Sequence, residues 1–153
     1  MAIKMIRIDD RLIHGQIVAA WAKTLQIKRI WVVDNGVAQD DFIKNVMKMV
    51  SPAGTDLKIT GEDQIENIVS EFDNDEVNTL VLMKLPKVAK KIFDSGVALR
   101  ELNVGGMGAG PGRQKLFKNI SASEEEKVEL ENMRDSGVKV YFQVTPSEKQ
   151  VLL

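Results

Sequence analysis

The sequence of 153 residues lacks cysteine and contains a single histidine, His14. Without cysteine, neither disulfides nor thiolate chemistry are available, which fits a reducing cytoplasm. Asp9 and Asp10 precede His14, but one histidine and no cysteine provide too few good ligands for a transition-metal site. We therefore expect no metal.

Strong charge of one sign and long apolar runs are also missing. The net charge is -1, so we expect no general attraction to nucleic acid or to an anionic membrane, and any phosphate must be bound locally. The N-terminal residues lack the apolar core of a signal peptide, and the longest apolar stretches, such as residues 79–83, are too short to span a bilayer. We expect no direct membrane insertion.

The composition that remains is that of an ordinary globular protein, with 44% hydrophobic and 28% charged residues. Its length favours a single domain over residues 1–153. Apolar runs predict strands at 2–8, 29–33, 57–60, 79–85, 101–104 and 138–144. Helical spacing and end signals predict helices at 17–25, 38–50, 64–71, 86–95 and 124–135. This alternation predicts an α/β fold with three layers, αβα, and a mostly parallel central sheet.

Two helices carry more specific signals. Phe42, Val46 and Met49 are spaced to line one face of the second helix. Ser123 and Glu126 have the spacing of a capping box, which predicts the start of the last helix.

Parallel sheets bind ligands beyond the carboxyl ends of their strands. His14 follows the first strand, Asp34 the second, Lys84 ends the central strand, and Gly105 and Gly106 follow a later one. We expect these residues to reach the same edge of the sheet, where they form a possible pocket.

His14 lies where the first strand joins the first helix. The amides of Gly15 and Gln16 and the positive end of the helix dipole can hold an anion there, including a phosphoryl group on the imidazole. Arg11 adds a forked cation suited to phosphate oxygens. The alternative is that His14 is an ordinary surface or hydrogen-bonded polar residue, as most single histidines are. Both interpretations stay open on these residues alone.

Residues 105–113 contain five of the eleven glycines. Pro111 stands where a dinucleotide-binding loop needs its third glycine, and it also replaces the lysine of a Walker A loop. The segment is therefore either a mobile surface loop or an adaptable loop beside His14, to which Arg113, Lys115 and Lys118 add positive charge.

The string Arg7-Ile-Asp-Asp-Arg-Leu-Ile-His-Gly-Gln16 resembles the signature of the IIB components of the mannose/fructose/sorbose family of the phosphoenolpyruvate-dependent sugar phosphotransferase system (PTS). Further blocks follow in the family's order, at residues 30–34, 40–41, 51–54, 101–107 and 137–140. The resemblance covers nearly the whole chain. The loop after Gly106 is richer in glycine and proline than in the commoner family members, and the terminal segment is shorter.

The resemblance implies that His14 is phosphorylated by a IIA protein or domain and passes the group to a sugar delivered by the IIC and IID membrane components. Arg11 and the amides of Gly15 and Gln16 are the expected stabilisers of the phosphate, and Asp10 is expected to orient the His14 ring or Arg11. No cofactor, metal or nucleotide is implied. The protein would be cytoplasmic and recruited to the inner face of the membrane by IIC and IID.

The resemblance thus favours a protein-phosphohistidine–sugar phosphotransferase. Two alternatives keep the fold but not the reaction. One is a non-catalytic regulatory domain that binds an anion or nucleotide, and the other is a nucleotide-dependent enzyme of the doubly wound class.

Overall fold

In the computed structural model, which describes residues 2–153, strands and helices alternate along the chain. The strands are β1 (Ile3–Asp9), β2 (Arg29–Val33), β3 (Asp56–Thr60), β4 (Thr79–Met83), β5 (Glu101–Gly106), β6 (Gln114–Phe117), β7 (Ile120–Ala122), β8 (Lys139–Phe142) and β9 (Val151–Leu152). The helices are α1 (Gly15–Thr24), α2 (Asn35–Ala38), α3 (Asp41–Val50), α4 (Ile65–Asn74), α5 (Pro86–Asp94) and α6 (Glu124–Asp135), and a 3₁₀ turn, Glu62–Gln64, precedes α4.

Seven strands form one sheet in the order β3-β2-β4-β1-β5-β8-β9, and every neighbouring pair is parallel except β8 and β9. The helices α1 and α3 pack on one face of this sheet, and α4, α5 and α6 pack on the other. The predicted three-layer α/β fold is confirmed. Strand β1 is central: Ile8 pairs with Met83 of β4 on one side and with Val104 of β5 on the other.

The second predicted helix is divided in two. Asp34 caps the short helix α2 by accepting from the Val37 N–H at 2.9 Å, and Asp40 caps α3 by accepting from the Ile43 N–H at 3.1 Å. Two capping residues so close together stop one helix and start another. The first three residues of the predicted helix therefore lie outside α3.

The apolar face predicted for α3 exists but points to solvent. Phe42 is 73% exposed and Met49 is 84% exposed, and Val46 is also exposed. The helix has a second apolar row, formed by Ile43 and Met47, and this row packs against the sheet. Helical periodicity offered both rows, and only the tertiary packing selects between them.

Strands β6, β7 and β9 were not predicted from the sequence, because they are short or polar. Strands β6 and β7 form a separate antiparallel hairpin, and β9 adds two residues at the edge of the sheet. Strand β5 also continues to Gly106, so Gly105 and Gly106 belong to the sheet rather than to the loop. Among residues 2–153, no helix is long and apolar enough to cross a membrane.

Candidate functional site

His14 is the residue that caps the N-terminus of α1, in an extended backbone conformation. Gly15 follows with φ of +45°, a left-handed conformation that favours glycine. The His14 side chain makes no hydrogen bond to the helix amides, because it turns towards the end of β1 instead. Gly15 and Gln16 are exposed, and the first amides of a helix have no partner within it. The end of α1 can therefore receive an anion beside the imidazole.

The imidazole is held by Asp9, the last residue of β1. Nε2 of His14 lies 2.7 Å from Oδ2 of Asp9. The same carboxylate accepts hydrogen bonds from Nε and Nη2 of Arg11, at 3.0 and 3.1 Å, and from Nη2 of Arg7 at 3.1 Å. Asp9 is fully buried, whereas His14 is partly exposed. Asp9 therefore joins both arginines to the ring.

Asp9 is ionised despite its burial. Burial alone would raise the pKa of Asp9, but hydrogen bonds from Arg11 and the charge of Arg7 outweigh that effect and lower the pKa below its usual value. An ionised carboxylate can only accept hydrogen bonds, so the short contact places a proton on Nε2 of His14. In a neutral ring the lone pair is then on Nδ1.

The buried side of this network belongs to Arg7. Its Nη1 atom donates to the side-chain oxygen of Asn103 at 2.5 Å and to the backbone carbonyl of Gln143 at 3.0 Å. A Cβ atom on Gly105 would lie 2.0 Å from Cζ of Arg7, and one on Gly106 would lie 2.6 Å from Oδ1 of Asp9. The two glycines therefore contribute to the site by leaving space for the Arg7 and Asp9 side chains.

Asp10 does not have the position that the sequence suggested. Its Oδ2 atom accepts from the Gly108 N–H at 2.7 Å and lies 3.6 Å from Nη1 of Arg113. The contact expected of Asp10, with the His14 ring or Arg11, is made by Asp9. The reason is that β1 ends at Asp9, whose side chain lies on the same face as Arg7, two residues earlier. That two-residue spacing was the sequence signal for Asp9.

Arg113 connects the glycine-rich loop that follows β5, residues 107–113, to the start of α6. Its Nε and Nη2 atoms donate to the two carboxylate oxygens of Glu126 at 3.0 and 2.8 Å, and Nη1 donates to the Gly108 carbonyl at 2.8 Å. Hydrogen bonding to Glu126 raises the pKa of Arg113. Glu126 also completes the capping box with Ser123, which confirms that prediction. The charge of Arg113 is thus balanced by Glu126 and Asp10 rather than open to an anion.

Asp34 and Lys84 lie at the ends of β2 and β4, at the same edge of the sheet as His14. Their charged groups are 4.0 Å apart. Within residues 2–153, no hydrogen bond or ion pair joins either of them to His14 or Arg11. The structure therefore brings the possible pocket residues to one edge but gathers only Gly105 and Gly106 directly around the His14 network.

The chain has clear relatives among known proteins. Residues 3–153 match the family model described as PTS system sorbose subfamily IIB component. The chain is 30% identical over 148 residues to the PTS system fructose-specific EIIB component of Bacillus subtilis (strain 168), which covers 97% of this chain and 91% of that protein. It is 28% identical over 150 residues to the sorbose-specific EIIB component of Lacticaseibacillus casei, covering 97% and 90%.

Solved structures give the same result for the fold. The IIBSor domain of the sorbose permease from Klebsiella pneumoniae is similar with a TM-score of 0.89 and 27% sequence identity, covering 99% of this chain and 93% of that one. The three-layer arrangement and the mostly parallel sheet are therefore those of a known group of structures.

Proposed function

Because the chain belongs to the sorbose subfamily of PTS IIB components, we propose that it is a phosphohistidine carrier of sugar transport, with His14 as the phosphorylated residue. The phosphoryl group comes from a phosphorylated IIA protein or domain and is transferred to a sugar imported by IIC and IID. The whole of residues 1–153 serves as one cytoplasmic carrier domain, which IIC and IID recruit to the membrane. Relatives are named for fructose, sorbose and N-acetylgalactosamine, so a sugar of this class is the proposed acceptor.

One observation carries the proposal: the only histidine of the chain has Nε2 bound to an ionised aspartate and stands at the open N-terminus of a helix. This arrangement leaves Nδ1 of His14 as the nucleophile. Nδ1 attacks the phosphorus atom of the phosphohistidine carried by IIA. The bond from phosphorus to that donor ring breaks, and its electron pair returns to the donor ring.

The proton on Nε2 stays in place during this step, so the His14 ring becomes positively charged. The Asp9 carboxylate stabilises that charge, as an aspartate does for a catalytic imidazolium. The same charge makes Nδ1 a good leaving group in the second step. The sugar hydroxyl attacks the phosphorus atom, the bond from phosphorus to Nδ1 breaks with its electron pair returning to the His14 ring, and the hydroxyl proton is released to water. One carboxylate therefore assists both the gain and the loss of the phosphoryl group.

The phosphate oxygens need positive partners. Arg11 donates to Asp9 through Nε and Nη2, while its Nη1 atom makes no hydrogen bond within residues 2–153. The Arg11 side chain is 47% exposed, so this nitrogen is available to an incoming phosphate. The amides of Gly15 and Gln16 supply further donors at the positive end of α1. Catalysis is then mainly positioning and charge stabilisation.

Intact-mass measurement tests the proposal. The protein is incubated with phosphoenolpyruvate, the upstream carrier proteins and IIA, and the gain of one acid-labile phosphoryl group is expected. The His14→Ala variant must remain unlabelled under the same conditions. Reversible anion binding without covalent labelling of the wild type would instead support a regulatory domain of the same fold.

A further inference from the structure

Arg7 is an unusual residue for the centre of a parallel sheet. It lies in β1, its side chain is fully buried, and its buried Nε atom has no hydrogen-bond partner among residues 2–153. Burying a guanidinium carries a large desolvation cost, and a whole buried ion pair can often be replaced by apolar side chains with no loss of stability. The position of Arg7 therefore calls for a reason other than stability.

Gly105 adds a second cost in the same place. Any larger residue at position 105 would collide with the Arg7 guanidinium, because a Cβ atom there would lie 2.0 Å from its central carbon. Glycine inside a strand weakens it, since glycine loses more conformational freedom on folding than other residues. The buried arginine and the strand glycine, both unfavourable for stability, thus occur together where Arg7 binds Asp9.

The two arginines that bind Asp9 differ in their freedom to leave. Arg11 is half exposed, so it can turn towards a phosphate, whereas Arg7 is enclosed and is fixed by Asn103 and the Gln143 carbonyl. Without Arg7, only the half-exposed Arg11 would balance the charge of Asp9, and the buried carboxyl would take up a proton whenever Arg11 turned away. A protonated Asp9 can donate to Nε2 of His14, which would shift the ring proton to Nδ1 and block the nucleophile.

Building on the proposed function, we infer that Arg7 is a positioning residue for phosphoryl transfer. It holds the Asp9 carboxylate in place while Arg11 engages the phosphate, and so keeps the proton on Nε2 of His14 and the lone pair on Nδ1. Gly105 provides the space in which Arg7 can do this.

The test combines ¹⁵N NMR of the His14 ring with the rate of phosphoryl transfer from phosphorylated IIA. Arg7→Met removes the charge at similar length, and Gly105→Ala displaces the guanidinium without changing any charge. Arg29→Met is the matched control, because Arg29 also lies in a sheet strand and pairs with an aspartate, Asp75, away from His14.

In the wild type, the neutral His14 ring is expected to carry its proton on Nε2. In Arg7→Met and Gly105→Ala, a fraction with the proton on Nδ1 is expected, and transfer should slow about 10- to 100-fold, because a small misplacement of a reacting group can cost about 100-fold in rate. The rate in Arg7→Met should recover as the pH rises, because Asp9 then ionises without Arg7. Arg29→Met should keep the wild-type tautomer and rate.

Wild-type tautomer and rate in a folded Arg7→Met or Gly105→Ala variant would overturn the inference. A wild-type ring with its proton on Nδ1 would overturn it even if neither variant folds. Failure of the proposed function is distinguishable, because an unphosphorylated wild type would leave the tautomer measurement and its dependence on Arg7 intact.

Discussion

Arg7 and Arg11 bind the same carboxylate, that of Asp9, and Arg7 forms the buried side of the site while Arg11 forms its exposed side. Arg7 lies inside the sheet and is fully buried, whereas Arg11 follows the end of β1 and is 47% exposed. Each arginine is two positions from Asp9 in the sequence, yet β1 ends at Asp9, so Arg7 lies within the strand and Arg11 lies beyond it. One side of Asp9 is therefore a fixed part of the core, and the other can exchange its partner for a substrate.

The largest expected effect comes from removing the His14 ring, which is bound by Asp9. His14→Ala should fold but accept no phosphate, because no other histidine exists in the chain. A small, partly exposed imidazole packs little, so the change in the free energy of unfolding should be modest. Circular dichroism checks the fold and intact mass checks labelling. Phosphate on another residue of this variant in the active relay would refute the assignment.

The exposed side is tested by Arg11→Lys. An ammonium cannot bind Asp9 and the phosphate with a planar fork, so both transfer steps should slow about 100-fold, equivalent to roughly 3 kcal/mol of activation free energy. Rapid-quench measurement of transfer from phosphorylated IIA gives the rate. Wild-type rates would show that Arg11 does not stabilise the transferring group.

The free energy of unfolding should depend more on the buried Arg7 than on the exposed Arg11. Arg7→Met leaves a buried carboxylate with one cation fewer and should cost about 3 kcal/mol or more of unfolding free energy. Arg11→Met removes a half-exposed ion pair and should cost about 1 kcal/mol or less. Urea denaturation of the two variants makes the comparison. Equal losses would mean that the two sides of Asp9 do not differ as their burial indicates.

Phosphorylation should change the exposed side more than the buried one. The phosphate adds about two negative charges near Arg11 and the first amides of α1. Amide exchange should slow at residues 15–18, with a smaller change in the glycine-rich loop. The link between Arg113 and Glu126 extends this smaller change to the start of α6, while its end should not respond. Equal protection at residues 15–18 in both states would exclude the helix terminus as the phosphate site.

The smallest effect concerns Tyr141, the only tyrosine and therefore a spectroscopic probe of the buried side. Tyr141 pairs in register with Asn103, which pairs with Arg7. Burial, followed by the charge of Glu101, raises the pKa of Tyr141 to about 12, while the positive charge of Arg7 opposes the rise. Arg7→Met should therefore raise this pKa further.

The sign of the pH dependence follows from that shift. The folded state favours the neutral phenol, so Tyr141 contributes stability below its ordinary pKa of about 10, and this contribution is lost as the pH rises towards 12. Phenolate absorbance after a rapid pH jump measures the titration. A midpoint near 10 in the folded protein would contradict the buried position of this side chain.

Local patterns were sufficient for much of the fold. The uninterrupted apolar run in β4 and the capping box at Ser123 predicted elements that the structure confirms. The two apolar rows of α3 were different, because the sequence does not contain the packing that buries Met47 and exposes Phe42. Strand β9 has two residues, too few to produce a periodic signal.

Some features of the candidate site were likewise predictable from local sequence, and others were not. The position of His14 at the start of a helix was predicted from the strand and helix patterns around it. The choice between Asp9 and Asp10 depends on the residue at which β1 ends, and strand ends are poorly defined by sequence. The space at Gly105 depends on the side chain of Arg7, which lies almost a hundred residues earlier and meets it only through strand pairing.

The long-range contacts of Arg7 also order the assembly of the molecule. Its partners Asn103 and Gln143 are 96 and 136 residues further along the chain. During synthesis β1 emerges first, and the loop-closure entropy of joining it to β5 and to the end of β8 is met only when nearly the whole chain is available. Until then Asp9 lacks the surroundings that fix it. Competence to accept phosphate is therefore a property of the completed fold, and a truncated or partly folded chain would carry the same histidine without a prepared site.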